Sequence, residues 1–207
     1  EVGAATPDRK LSDFASKNSL SGFEFLSCIP GSIGGSIMMN SGCYGEDISG
    51  IFSSITTLDF NGNIKHFDKN QIKFFYRGNN LEKNLIIVSA IFKGVSANKD
   101  VVINKQKSLI LKKKISQPSR IKTCGSTFKN PLNDKKAWEL IKISGCENLK
   151  VGGASISEKH CNFFLNNGDA RSSDIEKLIH LVKDKVFHKT GKQLELEIKI
   201  VGKNNEK

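Results

Sequence analysis

The alternation of apolar and polar residues along the chain predicts short helices mixed with strands. Apolar residues recur at helical spacing in residues 9–20, and again between the lysines of residues 105–114, where they predict an amphipathic helix. Residues 51–67 hold two extended stretches around Asn61-Gly62, a pair typical of a tight β-hairpin. Residues 85–92 are a β-branched apolar run that predicts a buried strand.

The second half of the chain predicts a further set of helices and strands. Residues 135–143 have helical spacing, and residues 149–156 form an extended stretch that contains glycine. Ser173 and Glu176 match a capping box at the start of a helix that stops at Gly191. This part of the chain therefore predicts the same mixture of elements as the first part.

The closing stretch, residues 194–200, alternates between apolar and charged side chains. This alternation predicts a half-buried strand in which Glu197 lies on the face opposite the core. The chain contains no internal repeat. Helices mixed with strands along its whole length predict an α+β architecture in two lobes.

Composition is typical of a folded globular protein. The 207 residues are enough for one large domain or two modest ones. The 13 Phe and a hydrophobic fraction of 38% can fill a packed core, which excludes a disordered chain. Apolar runs stay well short of the roughly 18 residues that a membrane-spanning helix needs, so we expect no membrane partner.

The basic charge is compatible with an anionic partner but does not identify one. Lys and Arg total 32 against 21 acidic residues, for a formal net charge of +11. The excess is almost entirely Lys, whereas nucleic-acid-binding proteins favour the bidentate fork of Arg. We therefore expect no nucleic-acid partner, and a basic anion-binding module without chemistry stays open as an alternative.

The cysteines indicate a reducing compartment. They are Cys28, Cys43, Cys124, Cys146 and Cys161. Their odd number and the lack of a C-x-x-C pair argue against a disulfide framework and a zinc site, so we expect no metal. Free thiols predict a cytoplasmic location. The first residue is Glu1 rather than Met, which leaves room for a true start upstream.

Residues 29–35, Ile-Pro-Gly-Ser-Ile-Gly-Gly, are the first of four segments with candidate chemistry. Glycines let backbone N–H groups approach an anion closely, so this loop could cradle a pyrophosphate. It lacks the Gly-Lys-Ser/Thr of a P-loop and the G-x-G-x-x-G of a Rossmann turn. A tight turn packed on a sheet stays the alternative.

Two further segments each present one reactive type of side chain. Arg77, which follows Tyr76, offers a fixed cationic fork for a carboxylate or a developing enolate, with a surface ion pair as the alternative. Ser126 follows Gly125 and is a candidate hydroxyl at a reacting centre, with a simple loop as the alternative. The G-x-S-x-G elbow of hydrolases is absent, which disfavours a hydrolase nucleophile.

The fourth segment, residues 152–168, is rich in Gly, Ser and Asn and polar enough to line a pocket. It contains His160 next to Cys161. Neighbours on an extended chain point to opposite faces, which argues against a catalytic Cys–His pair. We therefore predict a structural His160 that bonds to the backbone.

These segments match, in order, the motifs of one enzyme family. The matching stretches are residues 22–26, 29–35, 39–45, Tyr76-Arg77, Gln117-Pro118, Gly125-Ser126, 128–131, 153–168 and 194–198. Over nearly its whole length the chain resembles the UDP-N-acetylenolpyruvoylglucosamine reductases, also called UDP-N-acetylmuramate dehydrogenases. Each motif alone is weak, but the ordered set is highly specific.

The resemblance implies an α+β fold in two parts. Residues 1–98 would be the C-terminal part of a vanillyl-alcohol-oxidase-like (PCMH-type) FAD-binding region. Residues 99–203 would be an α+β substrate-binding domain, with the structural boundary nearer residue 117. The first FAD-binding portion of the family would precede residue 1, so its N-terminal part would be missing from this chain.

The resemblance also implies the reaction and its catalytic residues. FAD reduced by NADPH would reduce the enolpyruvyl ether of a UDP-sugar, a cytoplasmic step of peptidoglycan precursor synthesis. The negative charge left at C2 of the enolpyruvyl group must be stabilised and protonated. In the family pattern Ser126 is the proton donor, and Arg77 and Glu197 act near the substrate carboxylate.

The binding residues are implied in the same way. Substrate contacts would come from Tyr76, Lys114 and Asn130. Contacts to the cofactor FAD would come from Pro30, Gly31, Ser32, Gly34, Gly35, Asn40 and Gly42. Relatives commonly carry Ser two residues after the Arg, whereas this chain has Gly78 and then Asn79, so the substrate contacts there would differ.

Another FAD-dependent oxidoreductase of the same fold, such as one that oxidises sugar lactones, is the alternative within this chemistry. The Gly-Ser-x-Phe-Lys-Asn-Pro sequence of residues 125–131 counts against it. The chain also fits the subgroup that lacks an inserted loop bearing an extra substrate-contacting tyrosine. Only a short stretch separates Tyr76-Arg77 from the strand predicted at residues 85–92.

Overall fold

A computed structural model describes residues 1–132 and 134–202 of the chain. The chain forms two compact units, residues 1–113 and residues 114–207. Each unit has an apolar core of its own, and each contains both helices and strands, so the α+β prediction is confirmed. The predicted domain boundary stays a prediction, and Lys203, at its far end, lies outside the described residues.

The first unit is built around a four-stranded antiparallel sheet in the order β1-β9-β5-β6. Its strands are β1 (Val2–Gly3), β2 (Leu20–Ser21), β3 (Gly42–Cys43), β4 (Glu46–Asp47), β5 (Phe52–Asp59), β6 (Ile64–Asp68), β7 (Phe74–Phe75), β8 (Gly78–Asn79), β9 (Leu85–Phe92) and β10 (Val95–Ser96). Its helices are α1 (Asp8–Lys17), α2 (Ile33–Met38), α3 (Ile48–Ile51) and α4 (Lys99–Ser116). Two 3-10 helices lie at Glu24–Cys28 and Lys69–Gln71. The unit ends in the last turn of α4. Short pairs join β2 to β10, β3 to β4 and β7 to β8.

The β-hairpin predicted around Asn61-Gly62 is confirmed. Strands β5 and β6 pair on either side of it. Gly62 has φ +86°, a backbone conformation that favours glycine. The Asp59 carboxylate accepts hydrogen bonds from the N–H groups of Asn61 and Asn63, each at 2.9 Å. Hydrogen bonds within the turn therefore stabilise the connection between β5 and β6.

Two other predictions for this unit needed correction. The strand at Leu85–Phe92 forms, but Ile86 and Val88 are half exposed, so it is buried on one face only. Helix α4 buries Val102 and Leu109 yet exposes Leu111, and its apolar residues are spread around the helix rather than along one side. The predicted amphipathic pattern was therefore wrong.

Among the described residues, the second unit contains an antiparallel sheet in the order β11-β14-β13-β12, with helix α6 packed against β12 and β13 and helix α5 packed against α6. Its elements are β11 (Lys122–Ser126), α5 (Ala137–Ile143), β12 (Lys150–Val151), β13 (Ala154–Ile156), β14 (Phe163–Asn166) and α6 (Ser172–Thr190). The buried faces meet in a core that includes Phe128, Leu140, Ile141, Ala154, Phe164, Leu178, Ile179, Val182 and Leu194.

Helix α6 ends as predicted but begins differently. Gly191 closes it with φ +70°. The expected capping box of Ser173 and Glu176 was wrong, because the helix begins at Ser172. The side chain of Asp174 accepts a hydrogen bond from the Arg171 N–H at 3.0 Å.

The strand predicted at residues 194–200 was also wrong. The segment pairs with the rest of the second unit through an isolated bridge between Phe128 and Leu196 rather than through a ladder, and it bends at residues 197–198. Leu194 is buried, but Glu197 is half-buried like its apolar neighbours Leu196 and Ile198, and Ile200 is exposed, so the alternation does not separate a buried face from an exposed one. Within the described ranges, the structure contains no helix that is both long and apolar enough to cross a membrane.

Candidate active site

The glycine loop, residues 30–35, is bonded to the chain segment that leads into α1. The amides of Ile33 and Gly34 donate to the carbonyls of Thr6 and Ala4, both at 2.9 Å. These two amides are therefore already paired and not available to a pyrophosphate. Any contact that the loop makes with an anion has to come from its other groups.

The outer side of the glycine loop leaves room for a closely approaching ligand. Pro30, Gly31 and Gly35 are exposed. A Cβ built at Gly35 would have Ser32 Oγ, at 3.6 Å, as its nearest neighbour, so the outer face of Gly35 is open. A flat cofactor could lie against this backbone where a side chain would block it. The loop residues therefore fit a bound FAD.

Asp8 lies beneath the glycine loop and is fully buried. Its N–H donates to the Gly31 carbonyl at 3.0 Å, and Oδ2 accepts from Ser36 Oγ at 2.8 Å. Among the described residues Oδ1 has no hydrogen-bond partner. Burial raises the pKa of Asp8 to about 6, so the neutral carboxyl group is favoured below about pH 6.

This burial predicts a pH-dependent stability that the Asp8→Asn variant should lose. The folded pKa of about 6 exceeds the ordinary 3.8, so the folded protein holds the proton more tightly than the unfolded chain does. Asp8 therefore contributes full stability below about pH 4, and that contribution is lost as the pH rises through about 6. The difference corresponds to at most about 3 kcal/mol.

Urea unfolding of the cofactor-free protein across this pH range measures the effect. The Asp8→Asn variant should show a flatter profile between about pH 4 and about pH 6. Asp184→Asn is the control, because Asp184 is an exposed helical aspartate and its replacement should keep the wild-type profile. An Asp8→Asn profile identical to the wild type would contradict the prediction.

Asn40, predicted to contact FAD, has its side-chain amide engaged within the protein. Nδ2 donates to Asp47 Oδ2 at 3.2 Å and to the Phe75 carbonyl at 3.3 Å, and Oδ1 accepts from the Ser49 N–H at 3.1 Å. The residue is buried and has φ +41°. Its side chain thus links the stretch after α2 to strand β7, and contact with FAD stays a prediction.

Gly42, also predicted to contact FAD, is required by the close pairing of β3 and β4. A Cβ there would lie 2.5 Å from the Cβ of Asp47 and 2.9 Å from its Cα. We expect Gly42→Ala to lower the free energy of unfolding by about 1–3 kcal/mol. The matched control is Gly50→Ala, since a Cβ at Gly50 meets nothing within 4 Å and should change stability by less than about 1 kcal/mol. Equal urea midpoints for the two variants would contradict this expectation.

Tyr76 and Arg77 form the two-residue turn between β7 and β8. Arg77 has φ +60°, which is uncommon for a residue with a side chain. Its guanidinium carbon lies 4.7 Å from the centroid of the Tyr76 ring. The turn therefore presents the cationic fork stacked on an aromatic face.

Asn79 anchors this turn and was missed as a functional residue in the sequence analysis. Its Nδ2 donates to the carbonyls of Ile37 at 2.8 Å and Met38 at 3.3 Å, at the end of α2. Oδ1 accepts from the Leu81 N–H at 2.9 Å. The only signal in the sequence was the departure from the Ser of relatives. The longer Asn side chain here ties the Arg77 turn to the helix that carries the glycine loop.

Ser126 ends strand β11 in the second unit, next to an irregularity of the sheet. Strand β11 pairs Thr123 with Leu165 and Ser126 with Phe163, so one extra residue lies between the two pairs. Gly125 has φ +86° at this point. Such a bulge re-aims the side chain that follows it, which is consistent with a special role for Ser126.

Ser126 and Glu197 are brought onto neighbouring segments. The Glu197 N–H donates to the carbonyl of Thr127, the residue after Ser126, at 2.9 Å. The Lys129 N–H donates to the Glu195 carbonyl, also at 2.9 Å. Two of the three predicted catalytic residues therefore lie together in the second unit, while Arg77 belongs to the first.

The predicted substrate contacts Lys114 and Asn130 also lie in the second unit. Lys114 is exposed, and its carbonyl accepts a hydrogen bond from Lys159 Nζ at 2.6 Å. Asn130 Oδ1 accepts from the N–H of Ala137, the first residue of α5, at 3.1 Å. Asn130 therefore also has a structural role at the start of a helix.

The prediction of a structural His160 is confirmed. Its Nδ1 accepts a hydrogen bond from the Asn162 N–H at 3.3 Å. The ring centroid lies 4.8 Å from that of Phe163 and 6.4 Å from that of Trp138. Burial lowers the pKa of His160, which favours the neutral ring, and burial raises the pKa of the neighbouring Cys161 thiol.

Comparison with known protein families matches both units. Residues 1–68 match the family model for an FAD binding domain, and residues 117–201 match that for the UDP-N-acetylenolpyruvoylglucosamine reductase C-terminal domain. The first match places the chain among FAD-binding proteins.

Individual relatives agree with these models. The chain is 48% identical to the UDP-N-acetylenolpyruvoylglucosamine reductase of Pelagibacter ubique, covering 97% of this chain and 67% of that protein. It is 44% identical to the protein of the same name from Rickettsia akari, covering 98% and 68%. The crystal structure of UDP-N-acetylenolpyruvylglucosamine reductase from Thermus caldophilus matches with a TM-score of 0.83 at 30% identity, covering 95% of this chain and 70% of that one. The chain belongs to the UDP-N-acetylenolpyruvoylglucosamine reductase family.

Proposed function

We propose that the protein reduces UDP-N-acetylglucosamine enolpyruvate to UDP-N-acetylmuramate, using NADPH and FAD, in peptidoglycan precursor synthesis. Family membership supports the reaction. The observation that supports the proposal is the backbone hydrogen bond from the Glu197 N–H to the Thr127 carbonyl, because it brings Glu197 and Ser126 onto adjacent segments. That pairing suits a reaction in which a proton must be delivered next to a carboxylate.

The glycine loop is the proposed binding site of FAD. Its residues Pro30, Gly31, Ser32, Gly34 and Gly35 lie within the matched FAD-binding region. Asp8 and the segment before it hold the loop from beneath, which leaves the outer face open. When bound, FAD would accept reducing equivalents from NADPH and supply them to the enolpyruvyl double bond.

Ser126 is the proposed proton donor. Once C3 of the enolpyruvyl group has been reduced, C2 carries a pair of electrons delocalised into the carboxylate. A bond forms between C2 and the hydroxyl proton as the O–H bond of Ser126 breaks, and solvent then restores that proton. A serine hydroxyl is a weak acid, so it needs a fixed position to act in this way.

Charged residues complete the proposed substrate site. The Arg77 fork would bind the enolpyruvyl carboxylate and stabilise the developing negative charge, with Tyr76 beneath it. Glu197 would act at the same end of the substrate. The exposed ammonium of Lys114 and the amide of Asn130 would serve the remainder of the UDP-sugar.

The proposed location is the cytoplasm. Five unpaired cysteines support it, because such thiols persist in a reducing compartment. NADPH and the UDP-sugar are the proposed partners, and no nucleic acid or membrane is invoked. The basic surface is compatible with these anionic molecules.

Turnover by the FAD-loaded, full-length polypeptide tests the proposal. Incubation with NADPH and the enolpyruvyl UDP-sugar should consume NADPH and yield the lactyl ether, identified by mass spectrometry. Without NADPH, a sugar lactone should leave the oxidised flavin unchanged. Oxidised flavin that the lactone reduces, together with NADPH-reduced flavin that the enolpyruvyl UDP-sugar fails to reoxidise, would replace the proposal with a lactone oxidoreductase.

A further inference from the structure

The side chain of Asn162 holds the backbone directly after Ser126. It is buried, with 3% of its surface exposed. Its Nδ2 donates to the Phe128 carbonyl at 2.7 Å, and its Oδ1 accepts from the Phe128 N–H at 2.9 Å. Its own carbonyl accepts from the Thr127 N–H at 2.7 Å. Both residues that follow Ser126 are therefore bonded to Asn162.

These bonds begin where the sheet ladder stops. The pairing of β11 with β14 ends at Ser126 and Phe163, just after the bulge. Beyond that point Asn162 imitates a neighbouring strand, because one primary amide offers both a donor and an acceptor to the same residue. On the other side, Glu197 donates to the Thr127 carbonyl. Residues 127–128 are thus held from both sides.

The Asn162 backbone is fixed in turn by His160. The neutral ring accepts the Asn162 N–H at Nδ1 and packs against Phe163. Asn162 therefore holds the two residues directly after Ser126, which is itself only partly buried. Misplacing a reacting group by about 1 Å can cost about 10²-fold in rate. The bonds from Asn162 to Thr127 and Phe128 therefore act directly next to the residue that would deliver the proton.

We propose that Asn162 is a positioning residue that holds Ser126 in its proton-donating geometry by clamping the backbone of Thr127 and Phe128. The inference rests on the proposed function, in which Ser126 supplies the proton. An aspartate at this position would keep the acceptor for Phe128 N–H but lose the donor for its carbonyl, and would set a carboxylate against that carbonyl.

The test compares Asn162→Asp with Asn166→Asp in the FAD-loaded, full-length enzyme. Asn166 is the last residue of β14, the strand that begins directly after Asn162, and its Oδ1 accepts from the N–H groups of Gly168 and Ala170, so it controls for loss of an amide next to this sheet. We expect Asn162→Asp to slow reoxidation of reduced flavin by the enolpyruvyl substrate about 10–10²-fold. Flavin reduction by NADPH and the KM for the substrate should change little in both variants.

Two readouts distinguish positioning from general damage to the fold. Slowed proton delivery should raise the solvent deuterium isotope effect on reoxidation in Asn162→Asp alone. In a Ser126→Ala background, Asn162→Asp should add almost no further loss, because it acts through Ser126. Equal reoxidation rates in the two aspartate variants, or additive losses in the double variant, would overturn the proposal.

Hydrogen exchange tests the clamp without turnover. The Phe128 amide should exchange slowly in the wild type and at least 10-fold faster in Asn162→Ala, which removes its side-chain acceptor, or in the milder Asn162→Ser if the first variant unfolds. Unchanged exchange there would overturn the clamp. A wild-type enzyme that failed to reduce the enolpyruvyl substrate would instead overturn the proposed function, and the exchange result would still stand.

Discussion

Replacing Ser126 with alanine is expected to slow reoxidation of the reduced flavin by the enolpyruvyl substrate by about 10²–10⁴-fold. The variant lacks the hydroxyl proposed to protonate C2, so the charge that develops there can be neutralised only by water. Reduction of the flavin by NADPH does not require that proton, and its rate should stay near the wild-type value. Stopped-flow absorbance of the flavin follows the two half-reactions separately.

Cys124→Ser is the control for this experiment. Cys124 lies on the same strand two residues earlier and is exposed, so its replacement tests whether any small change on β11 disturbs the enzyme. Its half-reactions should both match the wild type. Equal losses in both half-reactions of Ser126→Ala would contradict a role in proton delivery and indicate damage to the flavin site.

Elements with strong local signals were predictable from the sequence. The hairpin formed because Asn61-Gly62 suits the turn and Asp59 caps it, all within five adjacent positions. Helix α6 followed from an apolar face of period 3.6 and from a closing Gly191. In both cases the determining interactions lie within a few residues of one another.

Elements that depend on distant partners were not predictable. Residues 194–200 have the alternation of a strand, but a strand needs a neighbour along its length and this segment meets one only at Phe128. Helix α4 was likewise predicted to have one apolar side, whereas its apolar residues are spread around it and only Val102 and Leu109 among them are buried. Local pattern shows what a segment can form, and tertiary contacts decide what it does form.

The residues of the candidate site likewise fall into those that the sequence predicted and those that it did not. Arg77, Ser126 and Glu197 were identified because short motifs surround them. The residues that support them, Asn79 and Asn162, were not. Asn79 bonds to α2, 41 and 42 positions earlier, and Asn162 bonds to Phe128, 34 positions earlier. An asparagine in a polar stretch carries no sign of such a partner until the fold brings the two together.

Replacing Arg77 with lysine is expected to lower kcat/KM for the enolpyruvyl substrate by about 10²–10³-fold, the usual cost of losing one donor to a developing oxyanion. Lysine keeps the positive charge but lacks the planar fork that binds a carboxylate through two parallel hydrogen bonds. It would also give up the stacking of the guanidinium on Tyr76. Steady-state kinetics with varied enolpyruvyl substrate measure the loss.

The backbone of this turn allows a sharper version of the test. Because Arg77 has φ +60°, Arg77→Gly should retain the turn and the stability of the fold while removing the whole side chain. Arg120 has φ +59° outside the proposed site, so Arg120→Gly makes the same backbone change without touching the carboxylate fork. We expect Arg77→Gly to lose reduction of the enolpyruvyl substrate at least as severely as Arg77→Lys, and Arg120→Gly to retain it. Retained turnover in Arg77→Gly would show that the turn, and not its guanidinium, is what the site requires.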